Sequence, residues 1–421
     1  MKAKKLLAVC LTSSMIAACA AGCGSSSGGG GEGSGKENIT IRVLATGTDY
    51  SDIIDEAVSE NFPEITLEWE TISWNDLQGK MQQYMQSGMP DIVIGKSQDA
   101  NNYGSYGVWE DLTDKPYMEK VNEAALPGVT VDDKVLGMSY TALYGGIFYN
   151  KEIFDEYDLE IPQSWDDIEE IVNILESNGV TPFATHYMEN ILYTTAIVTG
   201  NNLMAVSENW GQEFKDGERS ATDTEFREGY ERVKYMMDHS WEDTYSVDQT
   251  TCDARFVQGE AAMQMDGSWC INNYISLDED FEFGVFAVPD SQGQNKLIFE
   301  PDLTFFKSAD SEYSEEIDDI FELLTDPEIA GQVCDAIAEG SLIDGTQVTF
   351  NNPCQPDIDE YVNNGQIIDQ NIITNQLPAS GFWDECSSDL SEWLHGNMTL
   401  DEALDAADGR RDVCGFKTIE E

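Results

Sequence analysis

Three short stretches constrain the fold most: "NITIRVLAT" (38–46), "EITLEWET" (64–71) and "PDIVIG" (90–95). The first is rich in β-branched residues, the second alternates apolar and polar, and the third is a continuous apolar run. All three read as strands, the last buried on both faces. The segments between them carry helical spacing. One helix is expected around Tyr50 to Asn61. A second, in "SWNDLQGKMQQYMQSG", takes Ser73 as N-cap, sets Leu77, Met81 and Tyr84/Met85 on one face, and stops at Gly88. Strands alternating with helices give βαβ units and a largely parallel sheet.

The same grammar returns beyond Lys151. In "PQSWDDIEEIVNILESNG", Ser164 is the N-cap and Asp167 follows three residues on. An Ile168/Ile171/Val172/Leu175 stripe comes next, and Gly179 ends the helix. "EAAMQMDGSW" and "FEFGVFAVP" read as strands, and a pair of helices is expected on either side of Asp326-Pro327. The 421 residues, with 41 % hydrophobic and 10 % aromatic content, suit two α/β domains with ample core. After the first forty residues there is no repeat of fixed period and no low-complexity segment.

The front of the chain has a different role. Lys2, Lys4 and Lys5 precede a mostly apolar run from Leu6 to Ala21, with small residues around Cys19 and Cys23. That is the layout of a secretory signal peptide, too short for a permanent span. A cysteine at the cleavage point resembles the bacterial lipoprotein signal, in which it is lipidated and becomes the mature N-terminus. Two frames compete, Ile16-Ala17-Ala18-Cys19 and Ala20-Ala21-Gly22-Cys23; Cys23 is favoured and Cys19 is the alternative. Residues 1–22 are then the signal peptide, and 23–37 a Gly/Ser-rich flexible tether. Two or more acyl chains would anchor the protein stably in a membrane.

Charge narrows the partners. With 80 acids against 22 bases the net charge is −58. Nucleic-acid binding is thereby excluded, because phosphate recognition needs a basic surface. A solvated acidic coat is the plain reading; a field that draws in a cationic ligand is the sharper one. Six cysteines lie beyond the tether, Cys252, Cys270, Cys334, Cys354, Cys386 and Cys414. They allow either disulfides or scattered buried thiols. Without a CxxC and with three histidines, a structural zinc site is not expected.

Several stretches, in order, resemble the extracellular solute-binding proteins of bacterial ABC importers, in the sugar-binding family that includes maltose-binding protein. They are "FPEITLEWETISWNDLQGKMQQYMQSGMPDIVIG", "GVWEDLTD", "DKVLGMSYTALYGGIFYNKEIFDEYDLEIPQSWDDIEEI", "NGVTPFA", "RFVQGEAAMQMDGSW" and "FEFGVFAVP". The resemblance implies a type II periplasmic-binding-protein-like α/β fold of two lobes, each a mainly parallel sheet flanked by helices, with the ligand cleft between them. By position, residues 38–141 and 287–342 would form the N-terminal lobe, and 142–286 and 343–421 the C-terminal lobe. Crossings are expected at Met138 to Ala142, Phe286 to Pro289, and near Ser341 to Gly345. The implied partners are a carbohydrate, expected to be an oligosaccharide, the permease subunits of an ABC transporter, and a membrane reached through the N-terminal lipid. The implied setting is the outer face of a bacterium without an outer membrane, with the receptor a monomer.

A sugar wants flat aromatic faces for its C–H side and carboxylates or amides for its hydroxyls. Ligands in open α/β sheets sit beyond the carboxyl ends of strands. The candidates there are Trp74 after the second strand, Asp99 and Asn102 after "DIVIG", and Tyr144 beside the first crossing. His186 and Asn190 open a helix, and Asp266 and Trp269 flank Gly267 at a strand end. Glu300 and Asp302 stand in "FEPDLT", where relatives often show a Gly-rich loop, and Trp383 stands in "SGFWDEC". Trp165, at a helix start, is expected to be structural. GxSxG, HExxH, Walker and EF-hand patterns are lacking, so neither an enzyme nor a cofactor is expected. The rival readings are the same receptor type binding another small polar or cationic solute, and a secreted glycoside hydrolase using a carboxylate pair.

Overall fold

The computed structural model describes residues 38–73, 76–350, 352–377 and 381–411. The signal and tether, both lipidation candidates Cys19 and Cys23, Trp74 and Cys414 lie outside the described residues. The chain opens with β1 (Ile39–Ala45), β2 (Ile65–Thr71) and β3 (Ile92–Gly95). A small hairpin follows, β4 (Thr130–Val131) with β5 (Lys134–Val135), and then β6 (Met138–Ser139) and the long β7 (Thr141–Asn150). Next come β8 (Thr181–Ala184), β9 (Ala261–Gly267) and β10 (Phe283–Phe286). The last strands are β11 (Leu297–Pro301), β12 (Thr304–Lys307), β13 (Gly340–Ser341) and β14 (Ile367–Asp369).

Two main sheets result. The first has the order β2-β1-β3-β12-β6, with β1 parallel to both β2 and β3 and β12 antiparallel to β3. The second has the order β14-β11-β7-β9-β8, with β10 and β13 also paired to β7. Here the expected mainly parallel sheet gives way to a mixed one. β7 runs antiparallel to β9, β10, β11 and β13, and only the outer pairs β8–β9 and β11–β14 are parallel.

Each sheet buries both faces. In β3 all four residues are buried; Ile92 and Ile94 join one apolar cluster while Val93 joins another on the opposite face. β7 behaves alike, with Ile147 and Tyr149 on one side and Phe148 on the other. This is the period of two expected of a continuous apolar strand between helical layers.

The helices follow their sequence signals with one exception. Trp165–Ser177 starts with a capping box, Ser164 Oγ accepting from the Asp167 N–H at 3.2 Å and Asp167 Oδ2 accepting from the Ser164 N–H at 2.9 Å. Its four stripe residues are buried. Asp326 caps Pro327–Ile337 without a capping box, its carboxylate accepting from the Glu328 N–H at 2.9 Å, with proline in the first turn. Ser73, however, is not the N-cap of Leu77–Ser87: its hydroxyl bonds the Asp76 carboxylate at 2.6 Å, and Asp76 occupies the cap position. Trp165 is structural, its ring lying edge-on to Tyr235 and under Arg232. The five described late cysteines are buried free thiols, so the disulfide alternative does not hold among them.

Where the chain changes sheet fixes the site. It leaves the first sheet at Tyr140, between β6 and β7. The return is not at Phe286–Pro289: Leu297–Pro301 still pairs with β7, and the change falls between Pro301 and Thr304. Near Ser341–Gly345 the chain does change sheet, since β13 (Gly340–Ser341) still pairs with β7 of the second sheet. Leu342 and Ile343 pack in the first sheet's core, and Asp335 still holds the Phe350 N–H at 3.0 Å. The chain is back beside the second sheet at Pro353, whose carbonyl accepts from Lys151, the residue after β7.

Candidate functional site

β3 and β11 deliver their ends to one place. Beyond Gly95 stands Lys96, whose Nζ lies 3.6 Å from Glu300 Oε1 on β11 and 3.6 Å from Asp302 Oδ1 in the passage to β12. The register explains the meeting, since Thr304 pairs with Gly95 across β12 and β3. β7 supplies the third side. The Thr141 carbonyl accepts from the Asp302 N–H at 2.8 Å, and the Thr141 hydroxyl donates to Glu339. Glu339 arrives there by way of Ala338, which ends the preceding helix with a left-handed φ of 54°.

Burial sets the charge states. It is the main force on Lys96 and pulls its ammonium down, but Asp302, Glu300 and Glu339 together hold it above its ordinary value. Burial pushes Glu300 up and Glu339 well up. Asp369, closing β14, is pushed up to about 6 by burial, against the hydrogen bonds from Asn371. One of its oxygens accepts from the Asn371 N–H at 2.8 Å and side chain at 3.1 Å. Asn371 also donates to Ser97 Oγ at 3.0 Å, tying the helix Gln370–Gln376 after β14 to the loop after β3.

A second group gathers at the end of β9. Asp266 is fully buried; Gln264 donates to it at 2.9 Å and His186 Nε2 lies 3.4 Å away. Gln264 donates also to Asp253 at 2.8 Å, and Asn273 donates to the other Asp253 oxygen at 2.6 Å. Burial pushes Asp253 up to about 6. Asn190 donates to the Met265 carbonyl at 2.9 Å. Above this network sits Trp269, with Tyr193 edge-on at 4.5 Å and 74°. Two glycines make the arrangement possible. A Cβ on Gly267 would fall 2.1 Å from the Trp269 ring, and one on Gly145 would fall 2.1 Å from the Tyr193 hydroxyl. Gly145 and Gly267 are themselves paired between β7 and β9. Trp269, Gln249, Thr250, Asp253, Cys270 and Asn273 line an open concavity of about 340 Å³.

Tyr193 joins the two groups. Burial raises its phenol well above the ordinary value, and Glu300, Asp266 and Asp302 add to the rise from either side. Tyr144 lies beside them, its N–H donating to Ser268 Oγ at 3.1 Å and its ring 5.9 Å from Phe299; burial pushes it up to about 12.

The expected residues therefore divide. Glu300 and Asp302 stand in the first group, His186, Asn190, Asp266 and Trp269 in the second, and Tyr144 beside Ser268 and Phe299. Asp99 is near but turned inward. Its carboxylate accepts from the Lys96 N–H at 3.1 Å and from Asn102 at 3.2 Å, which makes both residues a cap of their own loop. Trp383 is a correction. It is buried at 7 % exposure in the second sheet's core, against Phe226 and Phe382, beside Gly200. Gly200 lies fourteen residues beyond His186, the cap of the same helix, hence roughly 21 Å along it. An aromatic on a buried helix face reads alike whether it faces core or cleft.

Lys96, Glu339, Asp369, Tyr193 and Asp253 escaped the sequence reading. Lys96 alone left a signal, as a rare base directly after the "DIVIG" strand.

Two sheets, each flanked by helices and with its own core, make a mixed α/β fold of two lobes. The sequence pattern of the bacterial extracellular solute-binding proteins matches residues 45–331, and the chain belongs to that family. It is 23 % identical over 277 residues to the "Multiple sugar-binding protein" of Streptococcus mutans, covering 64 % of this chain and 66 % of that one. Across the curated relatives, the chain spans between a third and two thirds of their length. Among solved structures, RafE, of Streptococcus pneumoniae, in complex with raffinose superposes with a TM-score of 0.74 at 20 % identity, covering 88 % of this chain and 98 % of that one. A sugar transporter of Bacillus licheniformis in complex with stachyose gives 0.73 at 17 % identity, over 88 % and 99 %. Among the described residues, no helix is long and apolar enough to cross a membrane.

Proposed function

We propose that the protein is an extracellular receptor that captures a short oligosaccharide between its lobes and delivers it to the permease of an ABC importer, without acting on it as an enzyme. The observation that carries this is Trp269, held edge-on by Tyr193, lining an open concavity at the end of β9 together with Asp253 and Asn273. A flat indole faces an apolar sugar surface, and the acid and amide beside it take hydroxyls. Relatives named for sugar binding, or solved with raffinose and stachyose, support the reading. Tyr144, Glu300 and Asp302 would add contacts from the same sheet, and Lys96, beyond β3, from the other lobe. A ligand touching both lobes favours their closed arrangement, because only that arrangement offers all the contacts.

In this proposal Cys23 carries the lipid, and the Gly/Ser tether gives a monomeric receptor its reach at the outer face of a bacterium without an outer membrane. Calorimetry on the full chain with raffinose, stachyose and maltotriose tests the receptor reading. Binding of at least one is expected, and Trp269→Ala should cost about 2 kcal/mol or more, as removal of an aromatic anchor usually does. Loss of less than about 0.5 kcal/mol would take Trp269 out of the site. Retention of the Cys23→Ser variant in the membrane fraction would move the lipid to Cys19.

A further inference from the structure

A fully buried glutamine stands near the end of β9. Met263 and Met265 enter the second sheet's core, while Gln264 and Asp266, two residues apart, share the opposite face of the strand. The Gln264 amide nitrogen lies between two carboxylates, 2.8 Å from Asp253 Oδ1 and 2.9 Å from Asp266 Oδ2, so each acid receives one of its N–H groups. The amide oxygen is left buried with no hydrogen-bond partner among the described residues. Turning the amide over would aim that oxygen at two carboxylates, so its orientation is fixed. An orphaned acceptor of this kind costs stability, and what it secures is the hold on the two acids.

Of the two acids, Asp253 is the one that lines the concavity beside Trp269, from the helix Gln249–Val257. Its second oxygen accepts from Asn273 at 2.6 Å, so the carboxylate is gripped at both ends and cannot turn away. Asp266 is walled in by the protein instead. The Gly267 N–H donates to its Oδ1 at 2.8 Å, and Gln264 and His186 face its Oδ2. Neighbouring carboxylates without a donor between them tend to share a proton. The Gln264 N–H favours the charged form of Asp253. Burial is the main push that brings Asp253 up to about 6, and the Gln264 hydrogen bond is the strongest pull against it.

We propose that Gln264 is a positioning residue of the sugar site: it holds the Asp253 carboxylate at the concavity as an acceptor only, and so makes a hydroxyl donor on the ligand the requirement of this subsite. The inference rests on the receptor reading above and deepens it. An ionised carboxylate takes hydrogen bonds and gives none. A ligand with an ether or a deoxy carbon at this point would leave it desolvated and unpaired, which is the costly kind of mismatch. Binding is thereby tied to the charge of Asp253, and acid weakens it. The ionisable groups that act on Asp253 are Asp266 on β9, His186 before the helix Tyr187–Val206, Cys252 on its own helix, and Cys270 and Tyr274 beyond β9. Arg255 is turned to Asp243. Burial raises the two thiols and the phenol far above the range in question, so Asp266 and His186 are the groups to be told apart from Asp253.

The test is calorimetry on the full chain with raffinose, stachyose and maltotriose, in steps from pH 7.5 to pH 5. The tightest of the three should weaken at least fivefold across that range, and its binding at pH 5.5 should release a proton. Asp253→Asn should bind at least tenfold more weakly at pH 7.5 and lose the pH dependence. Gln264→Met fills the same space without a donor, so the weakening should set in nearer neutrality, at least twofold between pH 7.5 and pH 6.5. A flat profile in the unaltered protein overturns the inference and leaves the sugar receptor standing. Persistence of the profile in Asp253→Asn assigns it to Asp266 or His186 and likewise overturns the inference. So does weaker binding by Gln264→Met at an unmoved midpoint, which is the mark of a merely structural residue. No binding of the three sugars at any pH overturns the receptor reading as well. The profile of the unaltered protein needs no variant, so the inference can fail even where a substitution does not fold.

Discussion

A carboxyl titrates near 3.9 in an unfolded chain, whereas burial holds Asp369 at about 6 in the folded one. Between those values the folded state keeps a proton that the unfolded state has lost, so stability falls as pH rises. The penalty is absent below pH 4 and complete above pH 6. Asparagine at this position keeps an oxygen for the Asn371 donors and removes the charge. Asp369→Asn should therefore stabilise the ligand-free protein at pH 7 by roughly 3 kcal/mol and leave it unchanged at pH 4. Urea unfolding at the two pH values checks it; equal effects at both would mean the carboxylate is not strained. Gly267→Ala acts on the other group. With the Trp269 ring 2.1 Å from the new methyl, the indole is forced off its place. Sugar affinity should fall at least tenfold in calorimetry, with about 1–3 kcal/mol of stability lost to overpacking. The closeness of Trp269 and Asp266 about Gly267 was legible, because a glycine at a strand end marks close approach. Glu339 and Asp369 were not, because their place depends on how β13 and β14 register against β7 and β11.

Elements were easier to read than their pairing. The helix Trp165–Ser177 shows why: its capping box and apolar stripe are properties of one local stretch. Removing the cap with Ser164→Ala should cost about 1 kcal/mol in thermal or urea unfolding, since the Asp167 N–H then loses its acceptor. No measurable cost would mean that the Ile168/Ile171/Val172/Leu175 face alone fixes the helix start. β3 was equally legible, four apolar residues with nothing polar to mark a solvent face. The return between sheets was not. "FAVPD" reads as the end of a strand and is one, yet it turns within the second unit, and the true passage is Asp302 and Leu303. A five-residue strand such as β11 carries too little pattern to announce itself between polar neighbours. Pairing against β7 turns Glu300 from a surface-type residue into a buried one.

At the scale of the whole molecule, the charge of −58 opposes compaction, and the scarce bases are placed where they offset it locally. Lys307, fully buried, lies 3.0 Å from Glu110 and 2.8 Å from Asp318; Lys115 lies 2.9 Å and 2.6 Å from the same two. This network joins β12 to the helix Ser314–Leu324 and to the loop before Pro116. Its short contacts lie inside the screening length at any ordinary salt, whereas the repulsion among surface acids acts over longer distances. The screening length is about 30 Å at 0.01 M and about 8 Å at 0.15 M ionic strength. Salt should therefore remove more repulsion than attraction. Moving from 10 mM to 300 mM sodium chloride at pH 8 should stabilise the protein by on the order of 1 kcal/mol, a rise of roughly 2 °C in Tm. Scanning calorimetry reads it directly. Potassium chloride should act equally, because the effect is ionic strength and not a bound ion. A fall in Tm would instead make the paired lysines, and not the acidic surface, the dominant electrostatic contribution to stability.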